Sequence, residues 1–133
     1  MTVFLTLMVG LYALILLFFI LGLYLSKEKR TDSQPFVSVV IPARNEKEQI
    51  ETVLHDVTHQ TYPSDRFEVI VVDDESEDIT PNLIQAFIQR CPNVKLLSSV
   101  DGNPNLKYKK KPLDVGIRAA EGEIILQTDA DCR

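Results

Sequence analysis

The chain has 133 residues, 45% hydrophobic and 25% charged, with a formal net charge of −5. That acidic balance speaks against a nucleic-acid partner, and the length allows one small domain with a modest core. Cys91 and Cys132 stand far apart and outside any Cys/His ligand spacing, so neither a disulfide nor a zinc site is expected.

The first charged side chain is Lys27. Residues 3–25 are apolar apart from Thr6, Gly10, Gly22 and two tyrosines. One helix of that length crosses a hydrocarbon core of roughly 30 Å. No basic residue precedes the run and no small-x-small cleavage site follows it, unlike a signal peptide. Residues 1–26 are therefore read as a single-pass anchor in a lipid bilayer, with Tyr24 at one interface. Lys27, Lys29 and Arg30 follow at once, and basic flanks favour the cytoplasmic side. Residues 27–34 read as a polar linker and residues 35–133 as a cytoplasmic α/β domain.

Residues 36–41 are rich in β-branched side chains and stop at Pro42, which predicts a buried first strand. Asn45 followed by Glu48 resembles a capping box. Ile50, Val53, Leu54 and Val57 then mark one helix face, ended by residues 60–63. Residues 67–72 form a second continuous apolar strand. Thr80-Pro81 opens a second soluble helix with Leu83, Ile84, Phe87 and Ile88 inward. Residues 94–97 predict a third strand and 98–105 a loop. Pro112 opens a third soluble helix, with Leu113, Ile117 and Ala120 inward and Gly122 as its stop. Residues 123–127 predict the last strand. The alternation implies a mostly parallel open sheet with helices on both faces.

Three predicted strands end in polar clusters: Pro42-Ala43-Arg44-Asn45-Glu46, Asp73-Asp74-Glu75-Ser76 and Asp129-Ala130-Asp131. In open parallel sheets, ligands bind beyond the carboxyl ends of the strands. Asp129 and Asp131 sit two apart, so an extended segment would aim both at one ion. Their hard oxygens suit Mg2+ or Mn2+ on a phosphate. Adjacent Asp73 and Asp74 repel unless a donor or cation offsets them, and a carboxylate there can accept the imide N–H of uracil. Glu77 and Asp78 suit a helix start. Lys107, Lys109, Lys110 and Lys111 form either a solvated patch or a set of phosphate contacts. Tyr108 among them is able to stack on a base. His55 and His59 have a zinc-like spacing but fall off the apolar stripe, and read as a solvated face. Phosphate loops of the Walker and dinucleotide types and the nucleophile elbow are absent from the sequence.

Taken in order, residues 37–46, Gln60-Thr61-Tyr62-Pro63, Val71-Val72-Asp73-Asp74-Glu75-Ser76, residues 116–123 and Thr128-Asp129-Ala130-Asp131-Cys132 resemble family-2 glycosyltransferases. The resemblance runs from about Pro35 to the last residue. It implies a GT-A fold and transfer, normally inverting, from a nucleotide-diphosphate sugar, with UDP-sugars favoured. It implies that Pro42, Ala43, Arg44 and Glu46 border the nucleoside and that Asp74, or else Asp73, contacts the base. Lys109 or Lys110 would lie near the uridine, Asp129 near the ribose, and Asp131 on the divalent metal. The acceptor is left open between a glycan and a lipid. Glu75 stands where the family often has Gly, and Asp114 where Asn or Thr is common. The resemblance reaches only the donor half, and the acceptor-activating base has no candidate here, so the isolated chain is expected to transfer little. The alternatives are a non-catalytic nucleotide-binding membrane module and a phosphoacceptor receiver domain. A receiver needs its paired acids on the first strand, whereas here a strand and a helix precede Asp73 and Asp74.

Overall fold

The computed structural model describes residues 2–25 and 33–131. The basic flank at Lys27, Lys29 and Arg30, most of the expected linker, and Cys132 lie outside the described residues. The chain divides into two compact units, Met1–Ser33 and Gln34–Arg133.

In the first unit, α1 spans Thr2–Leu25. Its 24 residues make it about 36 Å long at 1.5 Å per residue. The mean hydropathy of its best window is 2.8 and none of that window is buried. The Thr6 hydroxyl donates to the Thr2 carbonyl at 2.9 Å. That bond lets a polar side chain sit in an apolar helix without an unpaired donor. By length and composition α1 can cross a membrane.

The second unit alternates strand and helix. Its elements are β1 (Val37–Ala43), α2 (Ile50–Thr58), β2 (Phe67–Asp73), α3 (Thr80–Ile88), β3 (Val94–Ser98), α4 (Lys110–Ala119) and β4 (Ile124–Gln127). All three strand pairings are parallel, in the order β3-β2-β1-β4. Side chains alternate between the two faces of a strand. Val39, Ile41, Val69 and Val71 pack with Ile50, Val53, Leu54, Ile84 and Phe87 of α2 and α3. The alternate residues Val40 and Val72 meet α4, where a Cβ added to Gly116 would lie 2.4 Å from Val40 Cγ1. Helices therefore cover both faces, as the alternating pattern implies.

β1 is longer than the sequence suggests, because Pro42 lies inside it. Ala43 C=O accepts from Asp74 on the β2 side, and Val40 C=O accepts from Thr128 on the β4 side. Pro42 shares the side of Val40, and the β4 pairing stops at Val40↔Gln127. The missing proline N–H thus costs no ladder bond.

Three expectations need correction. Asn45 does not cap α2, which begins five residues later after Gln49. Ile117 does not face inward but is 48% exposed, whereas Pro112 and Gly116 are buried. The close approach of α4 to the sheet selects its smallest face rather than its most apolar one. Gly122 does not stop α4, which ends at Ala119. It instead passes close to β1, where a Cβ would lie 2.5 Å from Ser38 N.

That passage belongs to a buried polar network at the amino end of the sheet. Ser38 is fully buried and Glu68 is 3% exposed. Glu68 Oε1 accepts from Ser38 Oγ at 2.6 Å and from Glu121 N at 2.8 Å. Ser38 Oγ accepts from Gly122 N at 2.8 Å. Lys95 Nζ is 2.9 Å from Glu68 Oε2 and 3.2 Å from Glu121 Oε1. The network ties β1, β2, β3 and the chain entering β4. Burial pushes the Glu68 carboxyl up, but Lys95, Ser38 and the Glu121 N–H together outweigh it and hold it below the usual value. A carboxyl held low contributes stability above its unfolded pKa and loses it as pH falls through the folded one.

Urea unfolding of the full chain in detergent is therefore expected to show a midpoint that falls as pH drops below the usual glutamate range. Glu68→Gln is expected to cost about 2 kcal/mol at neutral pH and to flatten that pH dependence. An unchanged pH profile in the variant would remove Glu68 from this role.

Candidate functional site

α2 and α3 lie on one face of the sheet and α4 on the other, so the chain changes face between β1 and β4. A crevice opens at such a switch point, outside the carboxyl ends of the strands. A cleft of about 290 Å3 lies there. It is lined by Pro42, Ala43, Arg44 and Glu46 after β1, Asp74 after β2, Tyr108, Lys109 and Pro112 at the start of α4, and Asp129, Ala130 and Asp131 after β4.

Most of the residues singled out from the sequence meet in this cleft. Asp73 and Lys110 do not line it. Asp73 Oδ2 accepts from Ser76 N at 3.3 Å and so braces the loop after β2. Lys110 is the first residue of α4. His55 on α2 and His59 just after it are exposed, outside the cleft, with their rings stacked at 3.9 Å. Asp129 and Asp131 do not sit on an extended segment, because the chain turns at Ala130. Ala130 is 2% exposed and belongs to the core. Burying the small residue between them leaves both acids on the cleft.

Two of the acids in the cleft have defined side-chain partners. Asp129 Oδ2 lies 3.0 Å from Lys109 Nζ, and its Oδ1 is buried with no hydrogen-bond partner among the described residues. Asp74 N donates to Ala43 O at 2.8 Å, continuing the β1–β2 ladder by one bond. Asp74 Oδ1 accepts from Ser99 Oγ at 2.6 Å. Outside the lining, Lys111 Nζ lies 3.8 Å from Glu75 Oε1. The lining carries four carboxylates against two cations, Arg44 and Lys109. A phosphate ligand would add to that negative balance, so a further cation suits the site.

The residues fit a hard divalent cation of the kind that takes few protein ligands. Among the described residues there is no group of three His, Cys, Asp or Glu side chains able to hold a metal. Asp129 and Asp131 supply a pair, and the orphaned Asp129 Oδ1 is an oxygen in need of a partner. One or two carboxylates completed by phosphate oxygens and water are the usual Mg2+ arrangement.

The two loops facing this cleft are latched together. Asn45 N donates to Ser76 Oγ at 2.9 Å, and Asn45 Oδ1 accepts from Glu77 N at 2.8 Å. Glu46 N donates to the buried Thr80 Oγ1 at 2.9 Å. Asn45 has φ 56 and Glu75 has φ 59, both left-handed. Asn tolerates that region because its short side chain bonds locally. Asp78 accepts from Thr80 N at 2.9 Å, and its hydrogen bonds with Thr80 hold its carboxyl low.

A second hollow, of about 560 Å3, lies between α4 and the loop after β3. Its lining includes Asp101, Asp114 and Arg118; the last two pair at 2.8 Å, and Asp114 holds the guanidinium pKa up. Asp101 leaves the lining with one acid in excess, and its polar residues come from only two stretches of chain.

Residues 38–133 match the profile of Glycosyl transferase family 2. The chain belongs to that family. It is 37% identical over 102 residues to glycosyltransferase AglE of Haloferax volcanii, an alignment covering 77% of this chain and 32% of AglE. It is 34% identical over 96 residues to poly(ribitol-phosphate) beta-N-acetylglucosaminyltransferase TarS of Staphylococcus aureus, covering 71% of this chain and 16% of TarS. Among solved structures, mannosyltransferase PcManGT from Pyrobaculum calidifontis, in complex with GDP-Man and Mn2+, aligns with TM-score 0.67 and 31% identity over 88% of this chain and 34% of that one. TarS 1–349 in complex with UDP-GlcNAc aligns with TM-score 0.61 and 32% identity, covering 72% of this chain and 26% of that one. The chain thus spans about a third or less of the length of these relatives. The parallel GT-A-type sheet expected from the sequence is the fold these glycosyltransferases share.

The sequence did not point to Ser99 and Thr80 as partners of the cleft residues Asp74 and Glu46, nor to Ser76 as the partner of Asn45. Register offers the signal for Ser99: Asp73 pairs with Ser98, so the next residue of each strand end lies side by side. Nothing local marks the bonds that the Ser76 and Thr80 hydroxyls accept, whose donors Asn45 and Glu46 lie more than thirty residues away.

Asn45→Ala is expected to destabilise the chain by about 1–2 kcal/mol, because it loses the Glu77 bond and must hold a left-handed φ. Asn45→Gly relieves the backbone but not the bond, so urea unfolding should rank wild type above Gly and Gly above Ala. Wild-type stability in Asn45→Ala would contradict the latch.

Proposed function

We propose that the cleft is the donor-nucleotide site of a membrane-anchored glycosyltransferase that draws its sugar from a nucleotide-diphosphate sugar, with UDP-sugars favoured and inversion at the anomeric centre. The observation that carries this reading is convergence: Arg44 and Glu46, Asp74, Lys109, Asp129 and Asp131 arrive from four separate stretches of chain at the switch point.

In this reading Pro42, Ala43, Arg44 and Glu46 border the nucleoside. Asp74 accepts the imide N–H of the base, with Tyr108 beside it. The orphaned Oδ1 of Asp129 accepts a ribose hydroxyl or completes the cation's shell. Lys109, paired with Asp129 at 3.0 Å, would supply positive charge to the phosphates. Lys110, at the head of α4, adds positive charge nearby. Asp73 acts on the loop rather than on the ligand. Asp131, with Asp129, holds Mg2+ or Mn2+, which when bound supplies Lewis-acid charge to the departing diphosphate.

The donor side of the reaction is what these residues supply. Ile124, Ile125 and Leu126 of β4 are 44%, 43% and 53% exposed. An apolar strand open on its outer edge calls for cover by further structure. The same proposal makes α1 the anchor of residues 1–26, residues 27–34 the linker and residues 35–133 the nucleotide-binding domain. The basic residues after α1 favour a cytoplasmic domain.

Calorimetric titration of UDP into the detergent-solubilised chain tests the reading. Affinity is expected to rise by about tenfold, or about 1.4 kcal/mol, with Mn2+. Asp131→Asn is expected to lose that gain. Binding indifferent to Mn2+ in both proteins would contradict the metal assignment.

A further inference from the structure

Asp74 is held at two points. Its backbone N–H is bonded to Ala43 O at 2.8 Å, and its Oδ1 to the Ser99 hydroxyl at 2.6 Å. Ser99 is fully buried. Oδ1 is therefore turned toward the protein, while Asp74 itself lines the cleft. No hydrogen bond or ion pair to Oδ2 occurs among the described residues.

Ser99 is itself fixed. It opens a short 3-10 turn, Ser99–Asp101, and its carbonyl accepts from Gly102 N at 2.9 Å. A Cβ on Gly102 would lie 2.8 Å from Val115 Cγ2 and 3.0 Å from Ser99 O. Only glycine lets this turn sit so close to α4, so the hydroxyl has little freedom to leave Asp74.

Bases differ in what they offer a carboxylate. Guanine presents two adjacent donors, N1–H and the N2 amino group, which suit both oxygens of a free carboxylate. Uracil presents one, the N3–H imide, between two acceptors. With Oδ1 turned to the buried Ser99 hydroxyl, the carboxylate shows the cleft one oxygen rather than an edge of two, so it matches a single donor and a second would be left unpaired. Leaving a buried donor unpaired is how a polar site rejects a near-isostere.

We infer that Ser99 sets the base preference of this cleft, by committing one oxygen of Asp74 and leaving the other for a single imide N–H. The inference rests on the proposed nucleotide site. Ser99 acts through Asp74 and is a positioning residue, selecting uridine diphosphate over guanosine diphosphate.

The test uses the full chain in detergent with Mn2+, titrated with UDP, GDP and inosine diphosphate, which lacks the N2 amino group. Wild type should bind UDP tighter than GDP by about tenfold, and GDP no tighter than inosine diphosphate. Ser99→Ala frees Oδ1, so GDP should gain about tenfold over inosine diphosphate and the UDP preference should shrink. Ser99→Thr keeps the hydroxyl and should keep the wild-type ratios. Unfolding midpoints report whether each variant is folded. Unchanged ratios in folded Ser99→Ala would overturn the inference, as would wild type binding GDP about tenfold tighter than inosine diphosphate. If Ser99→Ala does not fold, the wild-type comparison decides alone. UDP binding with the wrong ratios removes only the role of Ser99. No nucleotide binding by folded wild type removes the site reading and this inference with it.

Discussion

The cleft depends on β1 pairing in parallel with both β2 and β4. Val40 is level with Ile70 on one side and with Gln127 on the other. That shared level brings three strand ends, and the acids beyond them, within reach of one ligand. Four residues of β4 make this pairing, so its register needs outside support. Glu68 and Ser38 supply it at the opposite end of the sheet, by binding the Glu121 and Gly122 amides just before β4 begins. A one-residue slip would break both bonds and reverse every β4 side chain. A buried carboxylate remote from the cleft therefore governs where Asp129 and Asp131 arrive.

The cleft itself is built around excess negative charge. Four carboxylates line it against two cations, and its acids differ in setting. Asp74 is tied by Ser99, Asp129 is tied by Lys109, and Asp131 is exposed. In the proposed reading the first arrangement selects a ligand group, the second reserves a place for positive charge, and the third is a cation ligand open to solvent. The loops that carry Arg44, Glu46 and Asp74 are held by cross-bonds through Asn45, Ser76 and Thr80 rather than by helix caps. Preorganised loops on a rigid sheet are the usual way to aim polar groups at a phosphate ligand.

Much of this was legible in the sequence, for identifiable reasons. Continuous β-branched runs such as residues 67–72 announce buried parallel strands, and polar clusters at their ends announce a site. The failures share a cause, which is tertiary contact overriding a local signal. Asn45 is a fair helix cap by local rules, yet Glu77 lies within its reach once β1 and β2 pair. Ile117 has the hydrophobicity for a core, yet α4 lies too close to Val40 to admit it. Ser99 looked like part of a polar loop, and only the β2–β3 register sets it beside Asp74. The pairing of Asp129 with Lys109 was not legible either, because it joins residues twenty apart across a helix and a strand.

Paramagnetic broadening tests the central claim most directly. The isotope-labelled full chain in detergent, saturated with UDP, would be titrated with substoichiometric Mn2+ while backbone amide signals are followed. Broadening is expected to be strongest at residues 129–131, weaker at Ala43 and Lys109, and absent at His55 and His59. Broadening centred on the His55–His59 pair, or spread evenly over the acidic surface, would contradict a cation seated at the end of β4.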